Sequence, residues 1–195
     1  GQFSVYNALA AIACARLLGV SLADAAAALE TAHGAKGRVE PVPTDGDYSI
    51  FIDYAVTPDA IENVLTTLRG IAPKRLVMLF GAGGDRDRKK RPIMGKISAD
   101  IADFVIVTSD NPRTEDPMSI IEEILPGVRA GKAPYKVICD RPEAIRWAID
   151  HHEPGDVILL CGKGHEDYQI IGHEKIHMDE REIVADYLAE RAKRT

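Results

Sequence analysis

The stretch that most limits the possible folds is Asp103-Phe104-Val105-Ile106-Val107-Thr108-Ser109-Asp110-Asn111-Pro112-Arg113, an apolar run that stops abruptly in polar and charged residues. Phe104 to Val107 are apolar and mostly β-branched, which suits a strand covered on both faces, as in a parallel sheet. Such a strand needs helices around it. Pro112 fixes its own φ and disfavours helix at Asn111, so the following residues are held extended or in a turn at the strand's carboxyl end. In open α/β sheets, ligands bind at that edge. The loop offers a carboxylate, an amide and a guanidinium within four residues, enough to read an amino group and a carboxylate together. A zwitterionic amino acid carries both. Asp-Asn-Pro is also ordinary turn chemistry, and Arg113 could be a solvated cap, so the assignment depends on the company this loop keeps.

The rest of the chain repeats the alternation. Strands are predicted over 38–42, at a sheet edge, and over 48–54, 75–80, 135–139 and 156–161. Helices are predicted from near Pro58 and over 91–102, 118–125, 142–151 and 181–191, with a hairpin over 168–177. Strand–helix alternation at this spacing predicts a mostly parallel, doubly wound sheet. Ahead of it, residues 6–18 and 22–29 read as two Ala-rich helices, Gly19 ending the first and Ser21 capping the second. Their small residues suit close packing on another surface. Gly34-Ala35-Lys36-Gly37 marks the boundary, giving a helical segment 1–36 and an α/β domain 37–195.

A formal charge of −6 and a pI of about 5.5 argue against nucleic acid as the main partner. An acidic whole with one basic run, Arg86-Asp87-Arg88-Lys89-Lys90-Arg91, suggests a small anionic ligand instead. No apolar run approaches membrane-spanning length, so no membrane insertion is expected. Cys14, Cys139 and Cys161 have no paired spacing and lie in apolar sequence, which reads as buried free thiols in a reducing, cytoplasmic compartment. Gly1 is not a natural start, and the beginning lacks a signal peptide; the chain is expected to be part of something longer.

In a parallel sheet every strand end places its loop along one edge, and the unusual residues collect in those loops. They read Asp53-Tyr54-Ala55-Val56-Thr57-Pro58-Asp59, Gly81-Ala82-Gly83-Gly84-Asp85-Arg86-Asp87, Asp110-Asn111-Pro112-Arg113, Asp140-Arg141 and Gly162-Lys163-Gly164-His165-Glu166. The glycine loop is a poor dinucleotide fingerprint, because Arg86 stands where GxGxxG needs its third glycine. Its glycines instead permit tight turning, letting Arg86 point inward. GxxxxGK[ST] is absent from the chain, so no phosphate-gripping loop is supplied here. His151 and His152 at a helix end read as structural. His165 suits either a site or a turn, and His173 and His177 with Glu174 and Asp179 match no zinc spacing.

Taken together, these loops resemble the Mur ligases, in particular the branch that adds meso-diaminopimelate. Gly1-Gln2-Phe3-Ser4-Val5-Tyr6-Asn7-Ala8-Leu9-Ala10-Ala11 is similar to the end of the family's central ATPase domain, and residues from about Gly37 resemble its Rossmann-like carboxyl-terminal domain. Asp110-Asn111-Pro112-Arg113 matches the family's diaminopimelate motif letter for letter, and lysine-adding relatives differ there. One position departs: the family writes Asp-Tyr-Ala-His-Thr-Pro-Asp where this chain has Val56.

The resemblance implies that Arg86, Asn111, Arg113, Gly162 and Glu166, with Asp110 and Pro112, line a diaminopimelate pocket, and that Asp53 and Tyr54 face nucleotide. Two arginines can take two carboxylates, while Glu166, Asp110 and the Asn111 carbonyl can receive ammonium groups. It further implies a cytoplasmic, monomeric amide ligase of peptidoglycan synthesis. Its substrates would be UDP-N-acetylmuramoyl dipeptide and meso-diaminopimelate, with ATP and Mg²⁺ held mainly by the central domain. A non-catalytic amino-acid-binding module and another amide ligase, such as a folylpolyglutamate synthetase, are the alternatives.

Overall fold

The computed structural model describes residues 2–32 and 34–194; Gly1 and Thr195, the outer limits of the two expected domains, lie outside them. Its internal contacts divide the chain into Gly1–Ala35 and Lys36–Thr195, and each unit is taken by itself.

The first unit holds helices α1 (Gln2–Leu17) and α2 (Leu22–Glu30). Gly19 takes φ +90° between them, and the Ser21 side chain accepts a hydrogen bond from Asp24 N, capping α2. Two short Ala-rich helices can bury little between themselves. Only Ala25 of α2 is buried, while Tyr6, Leu9, Leu17 and Leu18 are exposed. Cys14 is exposed on α1 for the same reason, so the expectation of three buried thiols fails there. Cys139 is half-buried and Cys161 fully buried.

The second unit is built on six strands: β1 (Glu40–Val42), β2 (Ser49–Asp53), β3 (Leu76–Phe80), β4 (Phe104–Val107), β5 (Tyr135–Val137) and β6 (Val157–Cys161). They lie in the order β1-β2-β6-β3-β4-β5, with β1 antiparallel and the other pairs parallel. Burial explains the arrangement: β3 and β6 are buried at every position, as strands covered on both faces must be. Helices α3 (Pro58–Arg69), α4 (Lys90–Ile101) and α5 (Pro117–Arg129) cover one face, packing Leu65, Met94 and Ile124 against Met78, Val105 and Leu159. Helices α6 (Arg141–Asp150) and α7 (Glu180–Ala192) cover the other, with Ile145 and Val184 against Ile52, Leu79 and Leu160. The Rossmann-like, doubly wound expectation holds.

This placement fixes where a site can form. The chain runs outward from β3 through β4 to β5, then crosses behind the sheet through α6 to insert β6 between β2 and β3. The carboxyl ends of β3 and β6 therefore flank the point where strand order reverses, which is the crevice that open α/β sheets use for ligands. The hairpin β7 (Tyr168–Ile171) and β8 (Glu174–His177) forms a separate two-stranded sheet near that edge.

Several boundaries differ from the sequence reading: α1 begins at Gln2 rather than residue 6, β5 ends at Val137 rather than Cys139, and two further shifts have a visible cause. Val39 takes φ +45°, which breaks the edge strand and delays β1 to Glu40. Helix α5 runs past Leu125 through Pro126 and Gly127, because burial of Ile124 and Val128 continues beyond the apparent stop. Gly127 is also where α5 meets α4, since a Cβ there would lie 1.7 Å from the Pro92 carbonyl oxygen. In an open helix Gly→Ala gains up to about 1 kcal/mol, whereas overpacking a tight contact costs about 1–3 kcal/mol. Gly127→Ala should therefore destabilise the fold, seen as a lower midpoint in urea unfolding. An unchanged or higher midpoint would mean that α4 and α5 separate freely.

Candidate functional site

The loops after β2, β3, β4 and β6 converge on a cleft of about 130 Å³, lined by Tyr54, Val56, Gly83, Arg86 and Lys90 together with Asp110, Asn111, Arg113, Gly162 and Glu166. The sequence-predicted residues Arg86, Asp110, Asn111, Arg113, Gly162, Glu166 and Tyr54 thus come together. Asp53 and Pro112 do not line it. Asp53 is buried, its carboxyl accepting from Val39 N at 2.9 Å and Ala55 N at 2.8 Å; burial raises its pKa against those bonds. Pro112 is buried against Gly84, where a Cβ would meet the Pro112 carbonyl oxygen at 1.8 Å. That contact presses the glycine loop onto the Asp-Asn-Pro-Arg loop.

Arg113 occupies an unusual backbone position, φ +52°, which costs free energy for a residue with a Cβ and persists only where its surroundings impose it. Here the β7 strand imposes it. Arg113 N donates to Ile170 O at 3.0 Å, and Gly172 N donates to Arg113 O at 2.7 Å, forming a parallel bridge with Ile171. The guanidinium is then held at the cleft wall by Nη1 donating to Gly84 O at 2.8 Å. Gln169 adds a further tie, its Nε2 donating to Ser109 Oγ at 2.9 Å and to Asp110 O at 2.5 Å. The hairpin, expected from sequence only as a hairpin over 168–177, is the scaffold of the Asp-Asn-Pro-Arg loop.

Asn111 lines the cleft, but its amide is taken up by the protein itself. Its Nδ2 donates to Glu166 Oε2 at 3.0 Å, while its Oδ1 accepts from Lys163 Nζ at 2.8 Å and Ile170 N at 2.9 Å. Lys163 is fully buried, and its Nζ also lies 2.7 Å from Glu166 Oε2 and 4.0 Å from Asp110 Oδ1. Burial would raise the Glu166 pKa, but hydrogen bonds from Lys163, Asn111 and Tyr168 with the Lys163 charge bring it below the ordinary value. Glu166 therefore stays ionised. Its Oε1 is approached by Tyr168 OH at 3.3 Å.

The basic run divides its work. Arg91 is fully buried and pairs with Glu115 and Glu123, while Arg88 pairs with Glu123, so much of this charge is internal bracing. The Arg91 hydrogen bond holds Glu115 at a pKa of about 2. Arg86 and Lys90 remain at the cleft; Lys90 Nζ donates to Val56 O at 2.8 Å, and burial lowers its pKa. Among the histidines, His165 is exposed with its ring 4.9 Å from Tyr54, His151 stacks on Trp147 and His152 on Tyr48. His177 pairs with Glu182, and no group of three His, Cys, Asp or Glu suited to a metal occurs among the described residues.

Lys163, Lys90 and Gln169 were not read as site residues from sequence. A lysine between two glycines at a strand end is the available signal for Lys163, and membership of the basic run 86–91 that for Lys90; Gln169 carries none.

Such a cleft lies at the reversal point of a doubly wound sheet, and with three cations at its wall and a buried lysine beneath two acids it has the chemistry to take a small molecule bearing carboxylate and ammonium groups. The chain belongs to the Mur ligase, glutamate ligase domain, which matches residues 37–164. It is 53% identical over 193 residues to a UDP-N-acetylmuramoyl-L-alanyl-D-glutamate–2,6-diaminopimelate ligase of Caldanaerobacter subterraneus, covering 99% of this chain and 40% of that protein. A ligase of the same name from Trichormus variabilis is 51% identical over 195 residues, 99% of this chain and 39% of its own. A solved structure of a 2,6-diaminopimelate ligase superposes with TM-score 0.76 at 38% identity, over 98% of this chain and 39% of that one. The chain thus spans about two fifths of the length of these relatives.

The loop after β6 is anchored from outside the cleft by Arg181 of α7, which donates to Gly164 O at 2.9 Å and pairs with Glu40 of β1. The Arg181 hydrogen bond, joined by Gly37 N, outweighs burial and holds Glu40 at a pKa of about 2, below its ordinary 4.5. Because the folded value is the lower one, this contact contributes in full above pH 4.5 and is lost as pH falls toward 2. Partial exposure and screening limit it to about 1 kcal/mol. Glu40→Gln should then cost about that much near neutral pH, the difference from the native protein shrinking between pH 5 and pH 3. Thermal melts across that range check this, and a pH-independent difference would refute the charge contribution.

Proposed function

We propose that this chain is the amino-acid-binding portion of an ATP-dependent amide ligase that joins meso-diaminopimelate to UDP-N-acetylmuramoyl-L-alanyl-D-glutamate in peptidoglycan synthesis. The observation that carries the reading is Arg113, held in a left-handed conformation with its guanidinium at the cleft wall. The ligand has two carboxylates and two ammonium groups. Arg86, Lys90 and Arg113 supply cations for the former, and Asp110 with Glu166 Oε1, which also accepts from Tyr168 OH, supplies acceptors for the latter. Gripped at both ends, the amino acid is oriented so that one amino group can act as nucleophile. On this reading residues 1–36 are the helical end of a central ATPase domain, residues 37–195 the carboxyl-terminal domain, and the enzyme a cytoplasmic monomer.

The present residues do not fit a nucleotide triphosphate or its magnesium. The chain lacks a phosphate-gripping loop, the Asp53 carboxylate is taken up by two backbone amides, and the loop after β2 presents the apolar Val56 to the cleft. Tyr54 is the remaining candidate for the nucleotide side of the cleft. We therefore assign phosphate activation to the rest of the longer protein, and to this chain the seating of the amino acid.

Meso-diaminopimelate differs from lysine by a carboxylate at the far end of its side chain, so a discriminating pocket needs a cation aimed at that group. Arg113→Ala keeps the Cβ, and with it the loop's backbone preference, while removing the fork. Losing one partner of a desolvated charge pair costs about 2–5 kcal/mol, so kcat/KM for diaminopimelate should fall tens- to thousands-fold. The much lower activity with lysine should fall far less. Steady-state ligation of both amino acids by the full-length protein tests this, and an equal proportional loss would move the recognition role away from Arg113.

A further inference from the structure

Lys163 presents a question that ligand binding by Arg113 does not answer. Its side chain is completely buried, it does not line the cleft, and it nevertheless carries a full charge into the floor beneath the recognition residues. A buried ammonium is costly unless each proton finds an acceptor. Here Nζ lies 2.8 Å from Asn111 Oδ1 and 2.7 Å from Glu166 Oε2, with Asp110 Oδ1 at 4.0 Å and the Tyr168 ring centroid at 5.2 Å. Both close acceptors belong to residues that do line the cleft, and they come from different strand ends.

We infer that Lys163 is a positioning residue for amino-acid recognition: its ammonium fixes one oxygen of Glu166 and the carbonyl of Asn111 from below, so that the other Glu166 oxygen, which accepts the long Tyr168 hydroxyl contact at 3.3 Å, can receive the ligand's ammonium group. The inference rests on the amino-acid-seating reading above. Its geometry is specific. Asn111 Nδ2 and Lys163 Nζ both donate to the same oxygen, Glu166 Oε2, so the carboxylate cannot rotate without breaking two bonds. Asn111 Oδ1 accepts from Lys163 and from Ile170 N, which sets the amide's orientation and hence which of its ends faces Glu166. Lys163 is thereby the shared member of a three-residue network joining the β4 and β6 loops.

An uncompensated Glu166 would lose both its orientation and the charge that balances it. In the full-length enzyme, Lys163→Met should therefore raise KM for diaminopimelate by about tenfold or more, with kcat at saturation within about twofold and KM for the nucleotide and the UDP-linked substrate unchanged. A lysine that merely supports the fold would instead lower the melting temperature and degrade all three KM values together. The double-mutant cycle with Glu166→Gln separates the two roles, because coupled residues are non-additive. If Lys163 acts through Glu166, adding Lys163→Met to Glu166→Gln should change KM for diaminopimelate by less than about threefold. This charge-balanced pair also serves should the single variant fail to fold. An unchanged KM in Lys163→Met, a uniform rise for all substrates, or full additivity in the cycle each overturns the assignment. A native enzyme that ligates no diaminopimelate overturns the underlying reading instead, so the two failures are distinguishable.

Discussion

The edge of the sheet depends on one buried guanidinium. Arg141, at the start of α6, is fully enclosed, pairs through Nε with Glu180 at 2.8 Å, and donates to Ser109 O at 3.2 Å and Cys161 O at 2.8 Å. Those carbonyls follow β4 and end β6, the strands on either side of β3. A planar fork spanning them ties together two strand ends whose loops line the cleft. Removing either member of such an ion pair would leave a charge stranded in the interior, a far larger penalty than the pair's net contribution to stability. The pair is better understood as fixing geometry than as adding stability.

Built on that base, the site is assembled by mutual contact between loops rather than by one loop's own conformation. The glycine loop leans on Pro112, the Asp-Asn-Pro-Arg loop leans on the hairpin, and the β6 loop is held below by Arg181 and across by Lys163. Asp85 adds a brace, accepting from Thr114 Oγ1 at 2.8 Å while its own N donates to Glu115. Much of the polar chemistry at this edge is therefore directed inward. What remains for a ligand is a smaller set of groups, already oriented, and preorganisation of this kind lowers the cost of binding.

The sequence made the sheet legible because a buried parallel strand has few alternatives: the runs at Leu76–Phe80, Phe104–Val107 and Val157–Cys161 are apolar throughout. The loops could be placed at one edge for the same reason. Pairings across the chain were not legible. Arg141 meets Glu180, Lys163 meets Asn111 and Arg181 meets Glu40 at separations of 39, 52 and 141 residues, and no local pattern announces them. The continuation of α5 through Pro126 is not legible in the sequence, because tertiary burial overrides local propensity there. The exposure of Cys14 is not legible either, because an apolar neighbourhood in sequence need not be an apolar neighbourhood in space.

The bridge between Arg113 and Ile171 separates two things that usually travel together. The loop's path is set by main-chain bonds to Ile170 and Gly172 that any residue with an N–H can make, while the side chain projects from a backbone fixed independently of it. Left-handed φ is most easily accepted by Gly, Asn or Asp. A change of residue at this position can thus alter the chemistry presented at the cleft wall without rebuilding the loop, and an Asn there would even relieve strain. The charge at this wall of the cleft is thus open to change at a single codon, with the surrounding architecture already in place.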